Sequence, residues 1–121
     1  MRVLVVSNQK GGVGKTTTAI SLGAALVERG QRVLIVDLDP QANATSGLGI
    51  PKDHPGTYSV LLKEQPITGS IVHTEIAGLD LLPSGPDMAG AEVELVPLMA
   101  REFRLRQALR TVSGYDTVLV D

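Results

Sequence analysis

Residues 2–37 read RVLVVSNQKGGVGKTTTAISLGAALVERGQRVLIVD, and their pattern predicts the architecture of the chain. The near-continuous apolar run at residues 2–7 predicts a strand buried on both faces. A glycine-rich turn follows, and residues 16–29 then carry the broad apolar face of a helix, with Gly30 where a C-terminal cap is expected. Residues 33–36 (VLIV) predict a second buried strand. The order strand, loop, helix, strand is that of a βαβ unit with a right-handed crossover.

The glycine-rich turn (residues 10–17, KGGVGKTT) has the composition of a phosphate-binding loop placed between a strand and a helix. Its glycines let backbone N–H groups converge on phosphate oxygens, and the following helix adds the positive end of its dipole. Lys15 would reach the β- and γ-phosphates and the Thr16 hydroxyl would bind Mg²⁺, so the turn predicts a site for ATP and Mg²⁺. The residues predicted to contact the nucleotide are Gly11, Gly12, Val13, Gly14, Lys15, Thr16 and Thr17. The alternative is a glycine-rich turn that binds nothing.

Acidic residues follow two of the predicted strands. Asp37 and Asp39 come directly after residues 33–36, and Asp121 follows the apolar run at residues 118–120. Open α/β sheets bind their ligands at this carboxyl edge, and alternation along an extended chain would put Asp37 and Asp39 on one side. Around Mg·ATP one carboxylate can orient the attacking water while another holds the water shell of the metal, so Thr16 and Asp121 are expected at the metal and the pair Asp37 and Asp39 supplies the remaining carboxylates. The alternative is that the D-x-D-P segment only caps a strand and starts a turn.

The rest of the chain predicts the elements that complete an α/β sheet. Residues 40–56 are rich in Gly, Pro, Asn, Ser and Thr and predict a loop. The other predicted elements are helices over residues 57–63, 87–95 and 100–112, extended segments at 71–76 and 79–83, and a buried strand at 117–121. Together they predict a P-loop NTPase-type parallel sheet with helices on both faces. Because the sequence stops at the acidic tip of its last strand, we expect residues 1–121 to be the N-terminal part of a single domain, truncated there.

The composition excludes several classes of protein. The hydrophobic fraction of 43% suits a folded chain, and the net charge of −2 gives no general attraction to nucleic acid. The absence of cysteine excludes disulfides, thiolate metal sites and iron–sulfur clusters on this chain. No signal-peptide pattern and no apolar run of about 20 residues occurs, so a cytoplasmic protein is expected. The two histidines lack metal-ligand spacing and the four arginines do not share one helix face. We therefore expect all six to be ordinary surface residues: His54, His73, Arg101, Arg104, Arg106 and Arg110.

Three segments carry a resemblance to a known family. The general phosphate-loop pattern requires glycine at position 9, where this chain has Gln9, and a second lysine, Lys10, stands before the paired glycines. This form, KGGVGKTT, resembles the deviant Walker A motif of the superfamily of ParA/Soj partition ATPases, MinD and nitrogenase iron proteins. The run at residues 37–49 (DLDPQANATSGLG) is similar to the ParA/Soj switch segment, and Tyr115, Asp116 and Asp121 match the family's YDxxxxD spacing. The DPQ run favours ParA/Soj over MinD, and the lack of cysteine argues against the iron proteins.

The resemblance implies an ATPase cycle. Lys10 would reach the phosphates of the partner across an ATP-dependent homodimer, and Asp39 would position the hydrolytic water with Asp37 nearer the metal. The catalytic residues expected from it are Lys10, Lys15 and Asp39. The family further implies that the dimer binds DNA non-specifically, that a ParB-type partner stimulates hydrolysis, and that the protein acts at the nucleoid in chromosome or plasmid segregation.

Other functions remain open at this point. The chain could be a truncated fragment that binds nucleotide without turning it over. It could be a MinD-like positioning ATPase. It could also be a biosynthetic ligase that shares the deviant loop, such as a dethiobiotin or cobyrinate synthetase, which would require a small organic co-substrate.

Overall fold

The architecture of the chain is taken from a computed structural model that describes residues 1–6, 12–88 and 98–121. The strands are β1 (Arg2–Val5), β2 (Val33–Val36), β3 (Val72–His73), β4 (Leu79–Leu82) and β5 (Thr117–Val120). The helices are α1 (Gly12–Glu28), α2 (Asn43–Gly47), α3 (Thr57–Leu62) and α4 (Leu98–Leu109), with a 3-10 turn at Ile67–Gly69. None of the helices in the described ranges combines the length and the hydrophobicity that a membrane-spanning helix requires.

The five strands form one sheet in the order β1-β5-β2-β4-β3. The first four of these strands run parallel, with Val33 of β2 level with both Thr117 and Leu79. The short β3 pairs antiparallel with β4. Because β2 lies between β5 and β4, its carboxyl end sits near the middle of the sheet, where a ligand can meet several strands at once.

Both faces of the sheet are covered by helices, as the sequence predicts. Alternate residues of the strands point to opposite faces, so Leu34 and Ile35 of β2 belong to different halves of the core. On one face Leu34 packs with side chains of α3 and α4, among them Leu61 and Leu105. On the other face Ile35 packs in a cluster that includes side chains of α1 and Ala44 of α2. The predicted α/β layering is confirmed.

Strand β1 differs from its prediction because it is exposed. Val3 and Val5 have relative exposures of 46% and 72%, although the apolar run predicted a strand buried on both faces. The reason is topological: β1 pairs with β5 on one side and forms the edge of the described sheet. The apolar sequence of β1 is typical of a strand covered on both faces, but in the described structure its side chains are only partly covered.

Several element boundaries also differ from prediction. Helix α1 begins at Gly12, four residues before the predicted start, and it ends before Gly30, whose φ of 86° confirms the predicted left-handed cap. The segment at residues 71–76 contains only the two-residue β3. Helix α4 covers most of the predicted 100–112 range. Only Asp87 and Met88 of the helix predicted over residues 87–95 are described, and both are helical; the remainder lies outside the described residues.

The loop predicted over residues 40–56 contains helix α2, which the sequence did not indicate. Two features explain why it forms. The Asp37 carboxylate accepts hydrogen bonds from Thr45 within α2, and Ala44 is fully buried in the core. Tertiary contacts therefore hold a helix too short to be stable by itself.

A polar cluster ties the strands together at the opposite, amino edge of the sheet. The buried Asp80 of β4 accepts a hydrogen bond of 2.6 Å from the Tyr115 hydroxyl, and its other oxygen lies 2.7 Å from Nδ1 of the exposed His73. Burial, together with the hydrogen bond and charge of Asp80, raises the pKa of Tyr115 far above its ordinary value. Tyr115, one of the residues that carry the family spacing, thus has a structural role far from the carboxyl edge.

The prediction that Arg104 is an ordinary surface residue is wrong. Arg104 is half-buried and its guanidinium donates to the Leu61 carbonyl at 2.8 Å.

Candidate nucleotide site

The carboxyl ends of β2 and β5 bring two predicted carboxylates to one edge of the sheet. Asp37 follows β2 and its N–H donates to the Leu82 carbonyl at 3.0 Å. Asp121 follows β5 and its N–H donates to the Val36 carbonyl at 2.8 Å. The backbone of both residues therefore continues the parallel hydrogen-bond ladder, and that ladder fixes their position at the edge.

The first turns of α1 reach the same edge. The buried hydroxyl of Thr16 donates a hydrogen bond of 3.1 Å to Asp121 Oδ2, across 105 positions of sequence. This contact joins the helix after the glycine-rich loop to the end of β5. It also places the first turns of α1, at the positive end of the helix dipole, beside the Asp121 carboxylate.

Asp37 is fully buried and tightly engaged. Its Oδ2 accepts hydrogen bonds from the backbone N–H and the hydroxyl of Thr45, at 3.0 and 2.7 Å, and its Oδ1 accepts the N–H of Asp39 at 3.0 Å. Burial raises the pKa of Asp37 above its ordinary value and the negative charge of Asp121 adds to this, whereas the hydrogen bonds from Thr45 and Asp39 oppose it. Two neighbouring buried carboxylates repel each other, and a positive charge beside them would stabilise both.

Asp39 has a different environment from Asp37. It is half-buried and lines a cavity of about 360 Å³ together with Leu38, Pro40, Val120 and Asp121, at the carboxyl edge. The backbone ladder continues past Asp37 to Leu38, whose N–H donates to the Asp121 carbonyl at 2.8 Å. Beyond it the Asp39 N–H donates to the Asp37 carboxylate, and the two carboxylates occupy different surroundings. Only Asp39 of this pair borders the cavity.

The remaining predicted site residues are described only in part. Lys10 and Gly11 lie outside the described residues. The backbone of Gly12, Val13, Gly14, Lys15 and Thr17 forms the first turns of α1, next to Thr16. Their predicted contacts with phosphate stay predictions.

The oxygen ligands that the described residues offer suit a magnesium ion. Thr16, Asp37 and Asp121 offer hydroxyl and carboxylate oxygens, the hard ligands that Mg²⁺ prefers. Within residues 1–6, 12–88 and 98–121 no group of three or more His, Cys, Asp or Glu side chains is arranged to hold a metal. A magnesium ion here would therefore take other ligands from phosphate and water, as this ion commonly does.

Sequence reasoning missed the side chains that support the two aspartates. Thr45, Thr57 and Ser84 are buried. Thr45 and Thr57 each donate a hydrogen bond to Asp37, and Ser84 donates one to Asp39. Thr57 donates to the Asp37 carbonyl at 2.7 Å, and Ser84 donates to the Asp39 carbonyl at 2.7 Å. The available signal was weak: short hydroxyl side chains in glycine- and proline-rich segments next to strand ends.

Comparison with known proteins now identifies the family. A family model described as an AAA domain matches residues 1–121. The chain belongs to this AAA-domain family. Within it, the chain is 53% identical over 99% of its length to the chromosome partitioning protein ParA of Myxococcus xanthus. It is 53% identical over its full length to the chromosome-partitioning ATPase Soj of Thermus thermophilus.

A solved structure of this AAA-domain fold agrees closely with the chain. It is described as the cobyrinic acid a,c-diamide synthase of Mycobacterium smegmatis with a bound ATP analogue and magnesium, and it matches 99% of the chain with a TM-score of 0.89 and 47% identity. The chain spans 44% and 45% of the length of the two curated relatives and 50% of this structure. The predicted resemblance to the ParA/Soj-type ATPases is confirmed, and the fold matches that of a protein that binds nucleotide and magnesium.

Proposed function

We propose that this chain binds Mg·ATP at the carboxyl edge of its sheet and belongs to an ATPase that hydrolyses ATP to ADP and phosphate. The observation that carries the proposal is the hydrogen bond between the Thr16 hydroxyl and Asp121, because it joins the helix after the phosphate loop to the acidic end of β5. The ATP analogue and magnesium in the Mycobacterium smegmatis structure support it. So does the name ATPase borne by the Thermus thermophilus relative.

The proposed roles of the residues combine the family resemblance with the described surroundings of Thr16, Asp37, Asp39 and Asp121. Lys15 and the N–H groups of residues 11–17 bind phosphate, and Lys10 supplies positive charge to a partner's phosphates across a dimer. Thr16, Asp37 and Asp121 hold the magnesium, directly or through water; the bound ion would neutralise phosphate charge during transfer. Asp39 orients the attacking water; the support is that Asp39 lines the cavity at the carboxyl edge, whereas Asp37 is fully buried.

We infer further that ATP drives formation of a homodimer that binds DNA without sequence preference. A ParB-type partner then stimulates hydrolysis and releases the dimer, in the cytoplasm and at the nucleoid. Support comes from Lys10 in the deviant loop and from curated relatives named as chromosome partitioning proteins. The cycle is a nucleotide-dependent shift between two populations, with γ-phosphate as the ligand that favours one of them.

A second candidate function comes from the name of the Mycobacterium smegmatis structure. A cobyrinic acid a,c-diamide synthase would couple ATP cleavage to amidation of an organic acid. The two candidates differ in what stimulates turnover. If cobyrinic acid with an ammonia donor accelerates ATP cleavage and DNA with a ParB-type protein does not, the synthase assignment replaces the partition assignment.

The test of the proposed site is calorimetric titration of ATP into the wild type, Thr16→Ala and Thr16→Ser, each with Mg²⁺ and with a chelator. Thr16→Ala is expected to weaken Mg·ATP binding by on the order of tenfold or more, since it removes a metal ligand. Thr16→Ser keeps the hydroxyl and should bind nearly as the wild type does. Thr18→Ala is the matched control, because its exposed hydroxyl donates to the Gly14 carbonyl within the helix. Equal Mg·ATP affinity in Thr16→Ala and the wild type would refute the assignment.

A further inference from the structure

Asp39 is held at four of its atoms by neighbouring groups, one of them its N–H, which donates to Asp37 Oδ1 at 3.0 Å. Its carbonyl oxygen accepts the Ser84 hydroxyl at 2.7 Å. Its carboxylate accepts the Gln41 N–H on Oδ1 and the Asn43 side-chain amide on Oδ2, each at 2.9 Å. Both the backbone and the carboxylate are therefore fixed, although the residue is only half-buried.

Ser84 connects Asp39 to a second part of the fold. It lies two residues after β4, is 2% exposed, and its N–H donates to the Thr45 hydroxyl oxygen at 2.9 Å. The Thr45 hydroxyl in turn donates to Asp37 Oδ2 at 2.7 Å. Ser84 thus bonds through its hydroxyl to one aspartate and through its N–H, by way of Thr45, to the other. Chains of this kind polarise one another in a buried setting.

Asn43 holds the Asp39 carboxylate with its side-chain NH₂ group. Only one of the two orientations of that amide places the NH₂ group toward the carboxylate. A carboxylate only accepts hydrogen bonds, so the amide presents its NH₂ group to Asp39. The turn before it is unusual, because Ala42, at the amino end of α2, has a φ of 53° and adopts the left-handed conformation. Such a conformation costs an alanine free energy and persists where surrounding contacts impose it. Here it starts α2 so that Asn43 reaches back to Asp39.

We propose that Ser84 and Asn43 are positioning residues that fix the backbone and the carboxylate of Asp39, a residue that lines the cavity at the carboxyl edge. The proposal rests on the proposed function, in which Asp39 orients the attacking water. Ser84→Ala removes the hydroxyl and keeps the N–H bond to Thr45, so the Asp39 carbonyl loses one of its two donors and keeps the Ala42 N–H at 2.9 Å. Asn43→Ala frees Oδ2 of the carboxylate alone. Geometry that matters in the transition state affects kcat rather than nucleotide binding.

The experiment measures three quantities on each variant: the Kd for Mg·ATP, the kcat for ATP hydrolysis, and amide hydrogen exchange at residues 39–45. In Ser84→Ala and Asn43→Ala we expect Kd within twofold of the wild type and kcat lower by about tenfold, the size that loss of one hydrogen bond produces. Exchange at residues 39–45 should become faster. The matched control is Thr111→Ala, whose hydroxyl donates to the Ala108 carbonyl at 2.7 Å on an exposed surface, and which should change none of the three.

The outcomes separate this proposal from the proposed function. Unchanged exchange at residues 39–45 in both variants overturns the positioning role, whatever happens to turnover. An unchanged kcat with faster exchange also overturns it, since Asp39 would then be loosened without consequence. If the wild type binds Mg·ATP but shows no turnover, hydrolysis by this chain is refuted, and exchange alone decides whether Ser84 and Asn43 hold Asp39. Asn43→Ala serves as the second variant if Ser84→Ala does not fold.

Discussion

Asp37 and Asp39 lie two positions apart in the sequence, yet the fold gives them different chemistry. Asp37 is enclosed by Thr45 and by the N–H of Asp39, whereas Asp39 borders the cavity. The acidic residues themselves could be predicted from the sequence, because strand ends followed by Asp are visible in the pattern. Their different burial could not, since it depends on Thr45 and Ser84, which come from α2 and from the segment after β4.

The first prediction concerns the pH dependence of stability at Asp37. An acid whose folded pKa is raised binds more protons in the folded state than in the unfolded state. Its contribution to folding stability is therefore greatest below the unfolded value of about 3.8 and is lost as pH rises through the raised folded value. We expect the free energy of unfolding of the wild type to fall relative to that of Asp37→Asn as pH rises through this window. Urea unfolding of both at several pH values measures it, and parallel pH profiles would count against the raised pKa.

The second prediction concerns Tyr115 at the amino edge. Tyr115→Phe removes the 2.6 Å hydrogen bond to Asp80, whose carboxylate is buried. We expect the free energy of unfolding to fall by about 1–3 kcal/mol, the cost of leaving a buried charged acceptor with one partner fewer. Thermal or urea unfolding measures the change, and ATP affinity should be unaffected because the carboxyl edge is at the other end of the strands. A loss of ATP affinity with unchanged stability would contradict the structural role assigned to Tyr115.

At the scale of elements, the segments with clear apolar patterns agree with their predictions, as do the short α3 and β4, whereas α2 was not predicted. Helix α1 and strands β2 and β5 have strong apolar patterns that override local detail. Helix α2 has five residues and no such pattern, and its formation depends on Asp37 and on the buried Ala44. Sequence periodicity cannot report an element that is held by a side chain from elsewhere in the chain.

The third prediction tests how closely α3 approaches the end of β4. A Cβ on Gly56 would lie 1.9 Å from the Pro83 carbonyl oxygen, which no side chain can tolerate without movement of the backbone. Thr57 beside it donates its N–H to the same carbonyl at 2.8 Å. We expect Gly56→Ala to lower the free energy of unfolding by about 1–3 kcal/mol through overpacking.

Gly69→Ala is the matched control for that experiment, because nothing lies within 4 Å of a Cβ at this position. It should leave the free energy of unfolding nearly unchanged. Equal effects of the two substitutions would show that the close approach of Gly56 to Pro83 does not hold in solution.

At the scale of the whole molecule, the sheet has one well-covered centre and one exposed edge. Helices cover both faces of β2, whereas β1 leaves Val3 and Val5 open to solvent. The sequence predicted the layers and the carboxyl-edge site. It could not predict the exposure of β1, because an apolar run records the burial that a strand requires and says nothing about which strands lie beside it.

The fourth prediction follows from that exposed edge. An edge strand with exposed apolar side chains promotes association between chains. We expect the wild-type chain to show concentration-dependent self-association in sedimentation experiments. Val3→Lys, which puts a charge on the edge, should reduce it. Identical sedimentation of the two proteins over the same concentration range would argue against β1 as the associating edge.

In the proposed function, the carboxyl edge of this sheet binds Mg·ATP through the phosphate loop. Thermal unfolding of the chain with and without Mg·ATP, for the wild type and for Lys15→Ala, tests this binding. At a ligand concentration 100 times the Kd, binding to the folded state adds about 2.7 kcal/mol of stability. We expect that increase for the wild type and none for Lys15→Ala. An unfolding transition that Mg·ATP leaves unmoved in the wild type, or shifts equally in both proteins, would contradict it.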